Sequence, residues 1–148
     1  DLTPGCPTAT PEFIEQMAHT YYQRMTELAQ TGLYDICAHF DLLKRTGVFA
    51  PESLLAKIVP PALDAVAAAD MAIEINTSGY DHGAGEAYPS LQILHWMRER
   101  DIPITFGSDA HSPSDVGRYF EDAVKLAREA GYTQRAIYRR RRRTLVPL

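Results

Sequence analysis

Met71-Ala72-Ile73-Glu74-Ile75-Asn76 is a short, mainly apolar run that ends in an amide and lies between two stretches with helical spacing. Its length and branched residues suit a buried strand. Upstream, residues 51–69 read as helical but contain Pro60-Pro61. Proline inside a helix removes a backbone donor and crowds the preceding turn, so a kink or two short helices is expected there. Downstream, a glycine-rich loop at 77–87 is long enough to be functional. It leads into a helix at 89–100 with Leu91, Leu94 and Met97 inward.

The same alternation extends outward in both directions. Thr10-Pro11-Glu12 opens a helix with threonine as N-cap and proline at the first helical position. Phe13, Met17, Tyr21, Met25, Leu28 and Ala29 then share one face, and Gly32 marks the stop. A strand at 34–38 follows and ends at His39-Phe40-Asp41. On the other side, a strand at 102–106 ends at Gly107-Ser108-Asp109-Ala110-His111. Ser112-Pro113-Ser114-Asp115 reads as the capped start of a helix reaching Ala130, closed by Gly131, with a last short strand at 144–146. The order is α-β-α-β-α-β-α with no hairpin signal, which predicts an α/β fold with a parallel sheet covered by helices. Three strands cannot close a barrel, but they can form the second half of one.

Composition narrows the class. The 148 residues are 45% hydrophobic and 23% charged, ordinary for a globular domain with a core. No apolar stretch approaches the roughly 20 residues that cross a bilayer, so no membrane partner is expected. The start, Asp1-Leu2-Thr3-Pro4-Gly5-Cys6, lacks an initiator methionine and the features of a signal peptide, which predicts a portion upstream of this chain. Cys6 and Cys37 make neither a disulfide framework nor a paired metal motif. Cys37 reads as a buried small hydrophobe, and the location expected is a reducing cytoplasm. Net charge is −4, although 139–143 are five consecutive arginines, expected to face solvent. Without that block, ten basic residues face nineteen acidic ones, a formal −9. This argues against general nucleic-acid binding.

Each strand ends in residues able to ligate: His39 and Asp41, then Asn76 and Ser78, then Asp109 and His111. In parallel α/β folds the carboxyl ends of strands share one face, where active sites form. His39-x-Asp41 and Asp109-x-His111 are both i, i+2 pairs, and in extended backbone such side chains point the same way. Imidazole nitrogen and carboxylate oxygen facing one cleft suit divalent metals. A single strand-end histidine is more often a hydrogen-bonded structural residue; the two matching pairs favour ligation. His82 reads as a solvated loop histidine, and His19 and His95 as residues of helix surfaces. Phe106-Gly107-Ser108-Asp109-Ala110 lacks the second glycine of a nucleophile elbow, which argues against covalent serine catalysis. Glu86 and Tyr88 could touch substrate or simply fix the start of the helix at 89.

Three segments together resemble the histidinol-phosphatases of the PHP (polymerase and histidinol phosphatase) superfamily. They are Asp35-Ile36-Cys37-Ala38-His39-Phe40-Asp41-Leu42-Leu43-Lys44, Ile73-Glu74-Ile75-Asn76-Thr77-Ser78-Gly79 and Gly107-Ser108-Asp109-Ala110-His111-Ser112. Glu86-Ala87-Tyr88-Pro89-Ser90 and the ending Arg142-Arg143-Thr144-Leu145-Val146-Pro147-Leu148 also fit, so the likeness runs from about Tyr22 onward. The resemblance implies that residues 1–148 are the C-terminal half of a distorted seven-stranded, TIM-like (βα) barrel. It implies two or three divalent ions (zinc, manganese or iron), with His39, Asp109 and His111 among the ligands and Asp109 and His111 in catalysis. Asp41 would orient the His39 segment through hydrogen bonds. Glu74, Asn76 and Ser78 would contact substrate or support the ligands. The opening His-x-His and the middle glutamate and histidine ligands of the family have no counterpart here, so the missing N-terminal half is an expected partner.

The activity expected of the intact protein is metal-assisted hydrolysis of a small phosphomonoester, histidinol phosphate, in histidine biosynthesis. A phosphate-binding arginine is expected among Arg45, Arg98 and Arg118. Two other readings stand beside it: a PHP-type phosphoesterase acting on nucleotides or nucleic-acid ends, and a non-catalytic barrel fragment or interaction domain. Metal identity and oligomeric state are open from sequence.

Overall fold

Thr10 accepts a hydrogen bond from the Phe13 amide at 3.3 Å, and Pro11 fills the first helical position, so α1 (Pro11–Gln30) begins where the capping chemistry places it. These features come from a computed structural model describing residues 10–148; Cys6 and the reading of the first six residues lie outside the described residues. α1 buries Ala18, Tyr22 and Ala29 and lies along α2 (Glu52–Ala68).

The central sheet has three parallel strands in the order β1 (Ile36–Cys37), β2 (Ala72–Asn76), β3 (Ile104–Gly107). Consecutive strands are neighbours, joined through α2 and α3 (Leu91–Arg98), as the alternation requires. In β2, Ile73 and Ile75 enter the core with Val59, Leu63, Val66, Ile93, Leu94 and Met97. Alternation turns Ala72, Glu74 and Asn76 to the opposite face. Register puts Thr105 beside Glu74 and Gly107 beside Asn76. The mixed α/β architecture with a parallel sheet is thus present.

Three expectations are corrected. α2 runs unbroken through Pro60 and Pro61. Pro60 and Pro61 have no N–H to donate to the Ala56 and Lys57 carbonyls, both residues on the exposed side, while Val59, Ala62, Leu63 and Val66 anchor the other side to the core. The helix expected from Ser112 is replaced by a 3₁₀ turn at Pro113–Asp115, and α4 starts only at Phe120 (Phe120–Glu129). Ser112 shares a hydrogen bond with Ser114 instead of capping. The intervening loop is held by Gly117 N–H donating to Ser108 Oγ and by Thr77 donating to the Arg118 carbonyl.

The C-terminus is a hairpin of β4 (Gln134–Arg139) and β5 (Arg142–Pro147), where no hairpin was expected. Its two-residue turn places Arg140 and Arg141 at φ 51° and 63°, a conformation usually signalled by Asn-Gly. The expected strand at 144–146 is part of β5. Arg139, Arg140 and Arg142 are exposed, as expected of the arginine block. Arg141, however, pairs with Asp35 just before β1, and Arg143 with Asp70 just before β2. Tyr132 donates to the Ile102 carbonyl just before β3. The hairpin region is therefore fastened to the starts of the strands, which leaves their carboxyl ends for a site.

Candidate active site

A run of hydrogen bonds joins all three strand ends. Glu74 Oε2 accepts from the His39 amide at 3.1 Å and from Asn76 Nδ2 at 2.9 Å. Asn76 Oδ1 accepts from Ser78 N at 3.0 Å and Ser78 Oγ at 2.7 Å. Ser78 Oγ lies 3.4 Å from Asp109 Oδ2. Parallel pairing with matched register brings these groups together from positions 39, 74–78 and 109.

The strands stop short of the two i, i+2 pairs. β1 ends at Cys37 and β3 at Gly107, and His39 and Asp109 sit in the left-handed region at φ 31° and 50°. Neither pair is extended. His39 is half-buried, with its carbonyl accepting from Tyr21 Oη at 3.1 Å; Asp109 and His111 are exposed. His111 Nδ1 lies 2.8 Å from the Asp109 carbonyl, which can only accept. Donation from Nδ1 to that carbonyl suits the tautomer of the neutral ring whose Nε2 lone pair points to a cation.

Asp41 takes a different position from His39. It is buried, and its carboxylate accepts from Tyr22 Oη at 3.0 Å, Lys44 Nζ at 2.8 Å and the Ser90 amide at 3.3 Å. No bond links Asp41 to His39, so any hold on that segment passes through its neighbours. Lys44 also reaches Glu86 Oε1 at 2.7 Å. The buried Asp41–Lys44 pair, with the half-exposed Glu86 on its outer side, ties the segment after β1 to the loop after β2. Sequence reading gave Lys44 no role, although its i+3 spacing from Asp41 was the available signal. Burial, together with the neighbouring Asp41 carboxylate, pushes the Tyr22 hydroxyl far above its ordinary pKa, and Tyr22 stays a donor.

Of the three arginines considered for phosphate, Arg98 is excluded by placement. It closes α3, pairs with Asp101 and stacks on Tyr132 near the start of β3. Arg45 and Arg118 both follow strand carboxyl ends. Arg45 is exposed beside His82 at 3.3 Å, and Arg118 pairs with Asp81 at 2.6 Å and Asp115 at 3.2 Å. His19 and His95 lie on helix surfaces, as expected. Tyr88 is wholly buried with no partner for its hydroxyl among the described residues, and burial pushes its pKa up to about 12.

Among the described residues, no three His, Cys, Asp or Glu side chains are gathered closely enough to hold an ion. The free Nε2 of His111 and the exposed carboxylate of Asp109 have the right donor chemistry for a divalent cation. They fit as part of a coordination shell, not the whole of one. Among the described residues, no helix is long and apolar enough to cross a membrane.

Comparison with known proteins places these residues in context. A family model described as PHP-associated matches residues 91–131, a span that contains Asp109 and His111. The chain is 37% identical over 129 residues to a probable histidinol-phosphatase of Deinococcus radiodurans, covering 82% of this chain and 48% of that protein. It is 30% identical over 116 residues to a histidinol-phosphatase of Bacillus subtilis, covering 73% and 43%. It is 27% identical over 128 residues to a probable histidinol-phosphatase of Schizosaccharomyces pombe, covering 80% and 41%. The chain thus spans about half the length, or less, of the relatives it matches.

Proposed function

We propose that this chain, a relative of the histidinol-phosphatases of the PHP superfamily corresponding to their C-terminal portion, supplies one side of a metal-dependent phosphomonoesterase site. The observation that carries the reading is the hydrogen-bonded run from His39 through Glu74, Asn76 and Ser78 to Asp109. It ties the His39 backbone to the Asp109 carboxylate across all three strand ends. The remaining ligands would come from a further portion of a (βα) barrel that continues this sheet.

His39, Asp109 and His111 would hold two or three divalent ions, drawn from zinc, manganese or iron. Such ions, when bound, supply charge neutralisation at phosphate oxygens and make a water more acidic. The chain's own residues do the rest. Arg45, exposed at the same rim, would orient a phosphate, and Arg118 would do so on exchanging Asp81 and Asp115 for it. Asp109 would take a proton from the attacking water. Water adds to phosphorus, the ester P–O bond breaks, and the departing oxygen receives a proton. Histidinol phosphate is the proposed substrate, and a reducing cytoplasm the proposed setting.

The test uses the full-length protein. Phosphate release should be faster with histidinol phosphate than with nucleoside monophosphates. His39→Ala and Asp109→Asn should each lower it by at least about a hundredfold and reduce bound metal, since even outer partners of ligands cost about 10–100-fold. Unchanged rate and metal content in both variants would sink the reading.

A further inference from the structure

Glu74 stands between the two strand ends that carry the candidate ligands. Its Oε2 holds the His39 amide on one side and Asn76 Nδ2 on the other. Those bonds fix the Asn76 amide, so that Oδ1 faces Ser78, and Ser78 reaches Asp109. His39 has φ 31°, a conformation that a non-glycine residue keeps only when its surroundings hold it. On the facing strand, a Cβ built on Gly107 would fall inside the Glu74 carboxylate. A left-handed ligand residue, an oriented amide and a gap that only glycine leaves open thus converge on one side chain.

We infer that Glu74 is a positioning residue for both ligand-bearing strand ends, acting through the His39 backbone and through Asn76 and Ser78 on Asp109, with Gly107 kept as glycine to admit it. This inference rests on the metal-site reading above. It assigns Glu74 no contact with substrate. Its role is to accept two hydrogen bonds in a fixed place, which an uncharged carbonyl in the same place also performs.

The experiment compares Glu74→Ala, Glu74→Gln, Gly107→Ala and the double variant Glu74→Ala/Gly107→Ala in the full-length protein. Three quantities are read: manganese retained after dialysis, kcat and KM for phosphate release, and hydrogen exchange of the His39 amide in metal-free protein. Glu74→Ala should speed His39 exchange, release manganese and lower kcat by about 10–100-fold with little change in KM, as for lost support of a ligand. Glu74→Gln should restore most of all three. Gly107→Ala displaces the carboxylate with Glu74 intact, so it should reproduce the losses and carry the test even if Glu74→Ala fails to fold. The double variant should be no worse than Glu74→Ala alone. Glu74→Gln as damaging as Glu74→Ala would overturn the inference, since the charge itself would then be in use. Unchanged His39 exchange in Glu74→Ala and Gly107→Ala would overturn it as well. If the wild-type protein neither retains manganese nor releases phosphate, the functional reading fails, while the His39 exchange still decides what Glu74 holds.

Discussion

Lys44 Nζ lies 2.8 Å from Asp41 Oδ2, and both side chains are only 6% exposed. Two charges removed from water this completely depend on each other. Glu86, the other partner of Lys44, is 44% exposed and keeps access to solvent. Lys44→Met should therefore destabilise the protein mainly by leaving the Asp41 carboxylate buried without a counter-charge, at a cost of about 3–5 kcal/mol. Adding Asp41→Asn to Lys44→Met should recover part of the loss. Denaturant unfolding of the two variants checks this, and a loss below about 1 kcal/mol for Lys44→Met would show that the pair is not a buried ionic contact.

Tyr88 presents the opposite case, a buried hydroxyl with nothing to bond among the described residues. Leaving such a group unsatisfied costs about 1–3 kcal/mol, whereas a phenyl ring of the same shape carries no such penalty. Tyr88→Phe should raise the unfolding free energy by about 1 kcal/mol. A fall in the denaturation midpoint would show that the hydroxyl has a partner, such as a fixed water.

The loop after β2 is seated against the turn after β1 by backbone contact. A Cβ on Gly83 would lie 2.5 Å from Thr46 C and 2.7 Å from Gly47 N. Backbone atoms cannot step aside as a flexible side chain can. Gly83→Ala should cost about 1–3 kcal/mol, the usual price of overpacking, and should loosen the loop carrying His82 and Glu86. Faster amide exchange across 79–87 together with a lower unfolding midpoint is the expected result; an unchanged midpoint would show that the two loops part without cost.

How much of this was legible in sequence depends on the kind of signal. Thr10-Pro11 and the apolar runs read as strands at 34–38, 71–76 and 102–106 act locally; the observed strands are shorter at their starts, and the third runs one residue further, to Gly107. The parallel sheet follows from their alternation with helices. The arginine hairpin was hidden because Arg140 and Arg141 hold left-handed backbone without the glycine or asparagine that normally announces it. The late start of α4 was hidden because Ser108 and Thr77, 9 and 41 residues from their partners, hold the preceding loop. At the site, residue types at the strand ends pointed to His39, Asp109 and His111, but the extended geometry used to pair them does not exist. Lys44 was invisible as a partner of Glu86, since 42 residues separate them. Long-range contacts leave no spacing to read.

Cys37 gives the alkaline limit of the fold a defined chemical source. Its thiol packs 3.7 Å from Met25 Sδ inside the core, and burial pushes its pKa up from 9.0 to about 12. Below pH 9 the thiol is neutral in folded and unfolded chains alike, and its contribution to stability is fully present. Above pH 9 the unfolded chain releases the proton while the folded chain keeps it until about pH 12. Stability therefore falls as pH rises through that window, by about 1.4 kcal/mol per pH unit for this one group. Tyr88 adds to the same loss, its hydroxyl moving from 10.0 to about 12. Cys37→Ala should lower stability at pH 8 by removing buried volume, yet make the decline between pH 9 and 12 shallower by one proton. Urea unfolding at several pH values, with Cys6→Ser in both proteins, measures the two slopes. Equal slopes would mean that Cys37 already meets solvent in the folded chain, and its thiol would then react with a disulfide reagent at pH 8 as fast as in denatured protein.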